Sequence, residues 1–265
     1  LVAYPTLLSF YLSMTNTRVG TIGSFIGFKN FSSILKTRVF RTAIKNSFVF
    51  TVSSVIMKLI LGFLLSLLLL RFQGRKVLRG LILLPWIVPP ALSTLGWKWM
   101  YHPTFSVINW VLKHLGIINQ NISWLGDPQM AMLSVIQVNI WKGIPFFAIN
   151  FLAGLVAIPS ELYEAAEIDG VNVFQKMLYI TIPLMKPVIF TTLLFSTLMT
   201  ISDFETVYIL TGGGPMDSTH LLATYAYQIA LMVGDLGRGA AISLFLFPIL
   251  IFVAYLQIKL IREKI

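Results

Sequence analysis

The chain has 265 residues, of which 57% are hydrophobic and only 11% are charged, and its formal net charge is +10. Soluble domains carry about 25% charged residues, so this composition excludes an ordinary soluble domain and indicates an all-α membrane protein with several spans. Cysteine is absent, which excludes disulfides, thiolate nucleophiles and cysteine-ligated metal sites.

The beginning of the sequence predicts a partial first span, a loop and a complete second span. Leu1 to Met14 is apolar but too short to cross a hydrocarbon layer of about 30 Å at about 1.5 Å per residue. We interpret it as the end of a longer span. A cleaved signal peptide is the alternative, but the segment has neither a basic start nor a small-residue cleavage site. Residues 15 to 47 predict a loop and a short amphipathic helix, and Phe48 to Leu70 predicts the second span.

A third span is predicted from Gly80 to Tyr101. It contains three prolines, which lack amide hydrogens, so we predict a kinked helix that faces its neighbours. These prolines are Pro85, Pro89 and Pro90. The aromatic residues of this segment are interpreted as a membrane-interface belt. They are Trp86, Trp97, Trp99 and Tyr101. The polar and aromatic segment 102–129 then predicts a loop at the membrane surface.

The second half of the sequence predicts three further spans, which gives about six in total. They are Met130–Ile158, Leu184–Ile201 and Ala240–Ile261. After the fifth span, Thr211-Gly-Gly-Gly-Pro215 breaks the helix, and a loop with a short helix is predicted up to Gly239. Because this spacing leaves no room for a soluble domain, we predict one transmembrane domain over residues 1–265.

The orientation of the chain follows only weakly from its basic residues. Lysines and arginines in the loops divide equally between the two sides, so the positive-inside rule does not decide. The dense basic loop at residues 71–79 favours a cytoplasmic position for its own side. Because the basic residues lie beside apolar runs, we expect them to contact lipid headgroups rather than nucleic acid.

Residues 159–183 form the one long segment with repeated carboxylates. Four of the ten acidic residues lie here, so the segment must face water or a polar partner. They are Glu161, Glu164, Glu167 and Asp169. Ser160 is predicted to cap a first helix that ends at Gly170, and Asn172 with Gln175 predicts a capping box that starts a second. Pro183 is predicted to end that second helix.

The surface of this helix pair has features that a solvated loop does not need. The second helix carries an apolar stripe formed by Phe174, Met177 and Leu178. In the first helix, Ala165 and Ala166 would let another surface approach closely. A plain solvated loop is the alternative interpretation of this segment.

The same residues resemble a known motif. Glu164-Ala-Ala166, Gly170, Ile180 and Ile182-Pro183 are spaced as in E-A-A-x3-G-x9-I-x-L-P, the EAA loop of permease subunits of binding-protein-dependent ABC importers. Ile182 departs from the pattern by replacing leucine. Leu84-Pro-Trp-Ile-Val-Pro-Pro90 and Leu210-Thr-Gly-Gly-Gly-Pro215 further resemble the carbohydrate branch, which includes permeases for maltose, other oligosaccharides and glycerol phosphodiesters.

The resemblance implies a type I ABC importer permease in a prokaryotic plasma membrane. The loop would dock on a cytoplasmic ATPase, and ATP and Mg²⁺ would be bound there rather than on this chain. Other implied partners are a second permease subunit, more often a different chain than a copy, two ATPase subunits and an extracytoplasmic solute-binding protein. The residues assigned to ATPase coupling are Glu164, Ala165, Ala166, Asp169, Gly170, Phe174, Met177, Ile180 and Pro183.

Polar residues inside the predicted spans are candidates for the substrate path, because they are costly in a membrane. They follow helical spacing on the fourth span and occur at the outer end of the fifth, with aromatic residues on which sugar rings could stack. The candidates are Asn139, Trp141, Lys142, Phe146, Asn150, Asp203 and Glu205. For each one, helix–helix contact is the alternative role. Three lysines, Lys58, Lys98 and Lys142, raise the hypothesis of an acidic sugar substrate.

The sequence offers no catalytic or metal site. The nucleotide-binding pattern G-x4-G-K-[ST] is absent, and the three histidines lack metal-ligand spacing. We therefore predict a transport subunit that is not an enzyme and carries no cofactor. A permease for a non-sugar solute is the main alternative, and a membrane scaffold or enzyme is a remote one.

Overall fold

A computed structural model describes residues 3–71 and 76–262 of the chain. Within these ranges the secondary structure is helical, apart from two isolated β-bridges that join Thr15 to Phe25 and Arg18 to Thr21. The α-helices are α1 Ala3–Ser13, α2 Lys29–Leu35, α3 Arg38–Arg71, α4 Lys76–Ile87, α5 Pro90–Met100, α6 Val107–His114, α7 Pro128–Val156, α8 Ser160–Ile168, α9 Val173–Lys176, α10 Ile182–Ile201, α11 Glu205–Leu210, α12 Leu222–Tyr227, α13 Leu236–Leu244 and α14 Phe247–Arg262. Two π-helical turns, Met177–Thr181 and Gln228–Met232, follow α9 and α12.

Four helical segments in the described part of the chain are long and apolar enough to cross a membrane. They are Arg38–Arg71, Pro128–Val156, Val173–Ile201 and Leu236–Leu256. A fifth span is formed if Gly80–Ile87 and Pro90–Met100, which meet at 94°, cross together. Helix α1 has 11 residues and is too short to cross alone. Multiple apolar spans are thus confirmed, while a total of six stays a prediction.

The second span begins earlier than the sequence predicted. Helix α3 starts at Arg38 rather than Phe48, and the short preceding helix is confined to α2. Phe40, Ala43 and Ser47 recur on one face of the added turns and are buried there. Because this face packs into the protein, the helix continues beyond the apolar run.

The third predicted span is broken rather than merely kinked. Pro89 has an extended backbone, with φ −49° and ψ 128°, and Pro90 is the first residue of α5. A proline disfavours the helical conformation in the residue before it, so two successive prolines separate α4 from α5. Pro85 lies inside α4 without ending it. The dense basic loop predicted before this span lies partly outside the described residues, at positions 72–75.

Two members of the predicted aromatic belt pack into the protein instead of facing outward. Tyr101 is fully buried and packs between Trp97 and Trp124, with ring centroids 5.5 and 5.7 Å away. Trp86 and Trp99 are 59% and 61% exposed, as expected of belt residues, and Trp86 also lines a cavity. The break between α4 and α5 turns this segment inward, which hydropathy does not reveal.

Helices α3 and α7 run side by side in the same direction and form the frame of the protein. Near their starts Phe50 packs in one cluster with Val135 and Val138, and further along Val55 shares a second cluster with Phe147 and other residues of α7. Gly62 of α3 lies so close to Phe147 that a Cβ atom there would overlap its side chain. The two helices therefore approach closely in their middle part.

The glycine-rich loop after α11 is hydrogen-bonded to the first part of α3. Gly213 has φ +97° and lies flat against the ring of buried His220. Asn46 of α3 donates to the carbonyl groups of Ser218 and His220, at 2.8 and 3.1 Å. Burial lowers the pKa of His220, although Asp217 lies 3.5 Å away, so the neutral ring is favoured. The predicted break and the short helix after it are both present.

Candidate functional site

The chain carries two candidate functional regions, a helix pair at one end of the spans and a cavity between them. In the helix pair, α8 ends at Gly170, whose φ is +72°. The amide of Gly170 donates to the carbonyl of Glu167 at 3.0 Å, and that of Val171 to Ala166 at 2.9 Å. This pattern is a Schellman motif, and it confirms the predicted helix end.

Of the caps predicted at the starts of α8 and α9, the one at α9 is confirmed and the one at α8 is wrong. Asn172 accepts from the amide of Gln175 at 2.9 Å, and Gln175 accepts from the amide of Asn172 at 3.0 Å. The predicted capping box is confirmed. Ser160 is not a cap, because Pro159 takes the N-cap position without a side-chain hydrogen bond and Ser160 is already helical.

Pro183 does not end the second helix, contrary to the prediction. Helix α9 continues through the π-helical turn Met177–Thr181 into α10, so Val173–Ile201 is one long segment. The amide of Ile182 bonds back to the carbonyl of Met177, five residues earlier. This wide turn accommodates the ring and the missing amide hydrogen of Pro183 near the start of α10.

Two side-chain contacts fasten α8 to this long segment. The Tyr163 hydroxyl lies 2.9 Å from the Thr181 hydroxyl. Lys176 donates to Glu167 Oε1 at 2.7 Å, and this hydrogen bond, with the positive charge, holds the pKa of Glu167 below its usual value. The helix pair is therefore attached to α10 as a unit, so a force applied to α8 can reach the span.

The helix pair exposes an apolar surface that nothing in the chain covers among the described residues. Phe174 is 72% exposed and Ile168 is 88% exposed. Exposing such large apolar side chains to water is unfavourable, and it often marks a surface that contacts a partner. Ala166 is buried, so Ala165 alone of the predicted alanine pair can contact a partner. Of the other residues assigned to coupling, Glu164, Asp169, Gly170 and Pro183 are exposed, and Met177 and Ile180 are half-buried.

The second region is a cavity of about 550 Å³. It lies between α3, the broken span, α7, and the outer end of α10 with the turn after it. Its polar lining consists of Lys58, Asn139, Lys142, Ser196, Thr200, Ser202, Asp203 and Glu205. Its apolar lining includes Pro85, Trp86, Pro90, Phe146, Phe195, Met199 and Phe204.

An ion pair joins α7 to the turn after α10 within this cavity. Lys142 Nζ lies 3.6 Å from Asp203 Oδ2, and it also donates to the Thr206 hydroxyl. Asn139 donates to Asp203 Oδ2 at 2.7 Å, and the amide and hydroxyl of Thr206 donate to the same carboxylate at 3.0 and 2.7 Å. Asp203 thus accepts hydrogen bonds from two elements and neutralises one lysine.

A second lysine, Lys58 of α3, also lines the cavity. Lys58 of α3 is 4% exposed, and its Nζ donates to the Thr200 hydroxyl of α10 at 2.8 Å. Its aliphatic stem passes directly over Gly143 of α7, where a Cβ atom would overlap it. Glycine at position 143 therefore leaves room for the Lys58 side chain to pass α7 and connect α3 to α10.

Asn139 has one unpaired polar atom beside the cavity. Its side chain is buried, and its Oδ1 has no hydrogen-bond partner among the described residues. An unsatisfied buried acceptor is costly. Because this atom is enclosed by protein, a ligand in the cavity can contact it only if the Asn139 side chain turns.

The structure brings together most of the residues predicted for the substrate path. Asn139, Lys142, Phe146, Asp203 and Glu205 line the cavity. Asn150 instead lines a neighbouring cavity of about 440 Å³, which shares Phe146 and Phe195 with the first. Trp141 lines neither cavity, since it packs edge-on against Trp97 with ring centroids 5.5 Å apart.

Sequence reasoning missed several members of this site. Thr206 could have been found, because the spacing from Asp203 is that of a carboxylate capping the following helix. Thr200, Phe195 and Met199 resemble ordinary span residues and carry no local signal. Among the described residues, no group of three or more His, Asp or Glu side chains could hold a metal ion.

The chain is similar to known transport proteins. The family model described as binding-protein-dependent transport system inner membrane component matches residues 58–263. The trehalose/maltose transport system permease protein MalF of Thermococcus litoralis is 37% identical over 91% of this chain and 81% of that protein. The sulfoquinovosyl glycerol transport system permease protein SmoG of Agrobacterium fabrum is 34% identical, covering 100% of this chain and 86% of that protein.

Solved structures show the same fold. A chain of the bacterial alginate ABC transporter, in complex with an alginate pentasaccharide-bound periplasmic protein, matches with a TM-score of 0.83 at 22% identity, over 100% of this chain and 89% of that one. A chain of an amino acid ABC transporter matches with a TM-score of 0.59 at 16% identity, over 89% of this chain and 99% of that one. The predicted all-α importer-permease fold is confirmed. The chain belongs to the binding-protein-dependent transport system inner membrane components, and it is a membrane-embedded transport subunit rather than an enzyme.

Proposed function

We propose that this chain forms one half of the translocation path of an ATP-driven importer for a sugar or oligosaccharide. The observation that supports it most directly is the cavity, in which aromatic faces lie opposite hydrogen-bonding side chains. Relatives whose names specify trehalose or maltose and sulfoquinovosyl glycerol support the same substrate class. The whole chain would act as one transmembrane domain.

The chemistry of the cavity suits a polyhydroxylated ligand. Trp86, Phe146 and Phe195 offer apolar surfaces to the faces of sugar rings, and the carboxylate of Glu205 can accept from a hydroxyl. Its volume of about 550 Å³ lies in the range typical of small-molecule sites. Recognition would thus combine stacking with a few directed hydrogen bonds.

The charges of the cavity favour a neutral sugar over an acidic one. Two lysines, Lys58 and Lys142, are balanced by Asp203 and Glu205. Lys98 does not enter the cavity lining, and its Nζ donates to the carbonyl of Ile209 at 2.7 Å. Since no excess positive charge faces the ligand, the lysines give little reason to expect a uronate.

Residues 159–183 would transmit the work of a separate ATPase. The exposed apolar surface around Phe174 would dock on the ATPase, and the fastening of α8 to α10 would carry the motion to the cavity. One chain has one such loop, so we propose a second permease subunit, two ATPase subunits that bind ATP and Mg²⁺, and an external solute-binding protein as partners.

Uptake by the complete importer tests this function. The permease would be reconstituted with its partners in liposomes, and import of labelled neutral oligosaccharides, uronates and amino acids would be compared. We expect ATP-dependent import of a neutral sugar. Import of an amino acid without any sugar, or the absence of an associated ATPase, would contradict the proposal.

A matched pair of variants tests the cavity itself. Asn139→Leu removes a polar side chain from the cavity lining, and we expect sugar uptake to fall about tenfold, the effect of losing roughly one hydrogen bond. Gln137→Leu is the control, because Gln137 lies two residues away on α7 and is exposed outside the cavity. Equal uptake in the two variants would exclude Asn139 from the path.

A further inference from the structure

The exposed face of α3 changes from basic to apolar along its length. Arg38, Arg41 and Lys45, here named the basic collar, are exposed in the first turns of the helix. At about 100° per residue they lie within about 60° of one another around the axis. Phe48 and the exposed residues after it, Val52 and Ile56, continue the same face.

The apolar part of this face has the character of a lipid-facing surface. Phe48 is 69% exposed, and exposed aliphatic side chains follow it at every fourth position from Val52 to Leu68, turning gradually around the helix. From Phe48 to Arg71 the helix rises about 35 Å at about 1.5 Å per residue. This length matches a tilted crossing of a hydrocarbon layer of about 30 Å. Phe48 therefore marks the boundary of the hydrocarbon.

The basic collar then lies at the level of lipid phosphates. Along the axis, Lys45 is about 5 Å beyond Phe48, within a headgroup layer about 5–8 Å thick, and Arg41 is about 10 Å beyond Phe48, from where its long side chain can reach the same layer. Helix α3 runs parallel to α7, and α7 ends at the helix pair of residues 159–183. The collar is therefore at the opposite membrane surface, which is the outer leaflet under the proposed function, in which residues 159–183 meet a cytoplasmic ATPase.

The collar lacks a negative partner within the described part of the chain. No ion pair within 4 Å involves its three cations there, and Arg41 makes only a long hydrogen bond of 3.5 Å to the carbonyl of Lys36. No acidic residue precedes Asp127 in the sequence. Cations near the start of a helix are also disfavoured by its dipole. A bound anion would offset both effects.

We propose that the basic collar binds the headgroup of an anionic phospholipid in the outer leaflet. The acyl chains would lie along the apolar face from Phe48 onwards, and the phosphate would be held between Arg41 and Lys45. An acidic patch of a solute-binding protein is the competing occupant. The lipid is favoured because the collar is continuous with the lipid-facing side of the helix.

Lipid selectivity of the assembled importer tests this proposal. The complex would be reconstituted in phosphatidylcholine bilayers containing spin-labelled phosphatidylglycerol or spin-labelled phosphatidylcholine, and the lipid held at the protein surface would be measured. We expect Arg41→Gln/Lys45→Gln to reduce the preference for phosphatidylglycerol about fivefold or more, since each cation near a membrane surface contributes substantially to anionic lipid binding.

The control removes the same charge from other exposed positions. Arg18→Gln/Lys113→Gln lies on the same side of the membrane but outside α3, and its lipid preference should equal that of the unmodified importer. Equal losses in both double variants would indicate general surface charge and overturn the site. Unchanged lipid preference with weaker binding of the solute-binding protein to the collar variant would identify the protein as the occupant and also overturn it.

Discussion

The helix pair and the cavity differ in how the sequence encodes them. The helix pair is built from one continuous segment, residues 159–183, and its turn and second cap depend on neighbouring residues. The cavity joins residues from position 58 to position 205, carried by separate helices. Local capping chemistry therefore sets the first region, whereas helix packing sets the second.

The two regions also differ in what stabilises them. The helix pair lies at the surface, and its ion pair between Lys176 and Glu167 has a carboxylate that is 70% exposed, so the pair contributes little free energy. The cavity holds a partly buried ion pair whose side chains are 16% and 10% exposed. Removing one member of a buried pair is much more costly than removing a surface contact. We therefore expect failures of transmission from changes in the helix pair and failures of stability from changes in the cavity.

Gly170→Pro should have the largest effect, complete loss of uptake by a protein that still inserts in the membrane. Proline fixes φ near about −65°, whereas Gly170 requires +72° and donates its amide to Glu167. The corner between α8 and α9 cannot form. The measurement is ATPase subunit retained by the purified permease, together with sugar uptake.

The control for this change is Gly116→Pro at the end of α6. Gly116 has φ +69° and donates its amide to Lys113 in the same way, but it follows a helix on the other side of the membrane. We expect this variant to retain the ATPase subunit. If Gly170→Pro also retained the ATPase and imported sugar normally, residues 159–183 would not be the coupling element.

Asp203→Leu should have the next largest effect, a loss of stability of about 3 kcal/mol. The change leaves Lys142 without its negative partner, and Asn139 and Thr206 lose their acceptor; breaking a buried pair in this way costs about 3–5 kcal/mol. Thermal unfolding of the complex in detergent measures the loss.

The double variant Lys142→Leu/Asp203→Leu separates stability from transport. Replacing both partners with apolar side chains leaves neither charge of the pair without its partner, so most of the stability should return. Sugar uptake should stay low, because two of the eight polar side chains that line the cavity are gone. If the double variant lost as much stability as the two single variants together, Lys142 and Asp203 would not be coupled.

Features that depend on residues close together in the sequence were the ones that could be predicted from it. Gly170 and the capping box at Asn172 were predictable, because each needs partners only a few residues away. Ser160 was misassigned because Pro159, beside it, already supplied the extended N-cap backbone. Lys142 and Asp203 were both selected as candidates, since polar residues in a span are costly.

Features that depend on distant packing were not predictable. The bond from Lys58 to Thr200 joins residues 142 positions apart, and no motif links them. Trp141 was assigned to the substrate path, but the broken span places Trp97 against it. The continuation of the helix through Pro183 was likewise not predictable from the sequence, because it depends on a π-helical turn rather than on composition.

Gly143→Ala is the smallest and sharpest change, and it tests whether packing sets the cavity. The added Cβ atom would overlap the stem of Lys58, so this side chain must move away from Thr200. Overpacking of this kind costs about 1–3 kcal/mol, and the roughly 1 kcal/mol that alanine gains over glycine in a helix offsets part of it, so thermal unfolding should show a net loss of up to about 2 kcal/mol. The control is Gly96→Ala in α5, where the space around the added atom is open and alanine should stabilise the helix by about 1 kcal/mol. Opposite signs for these two substitutions are expected; equal stabilisation would mean that Lys58 does not cross α7 at Gly143.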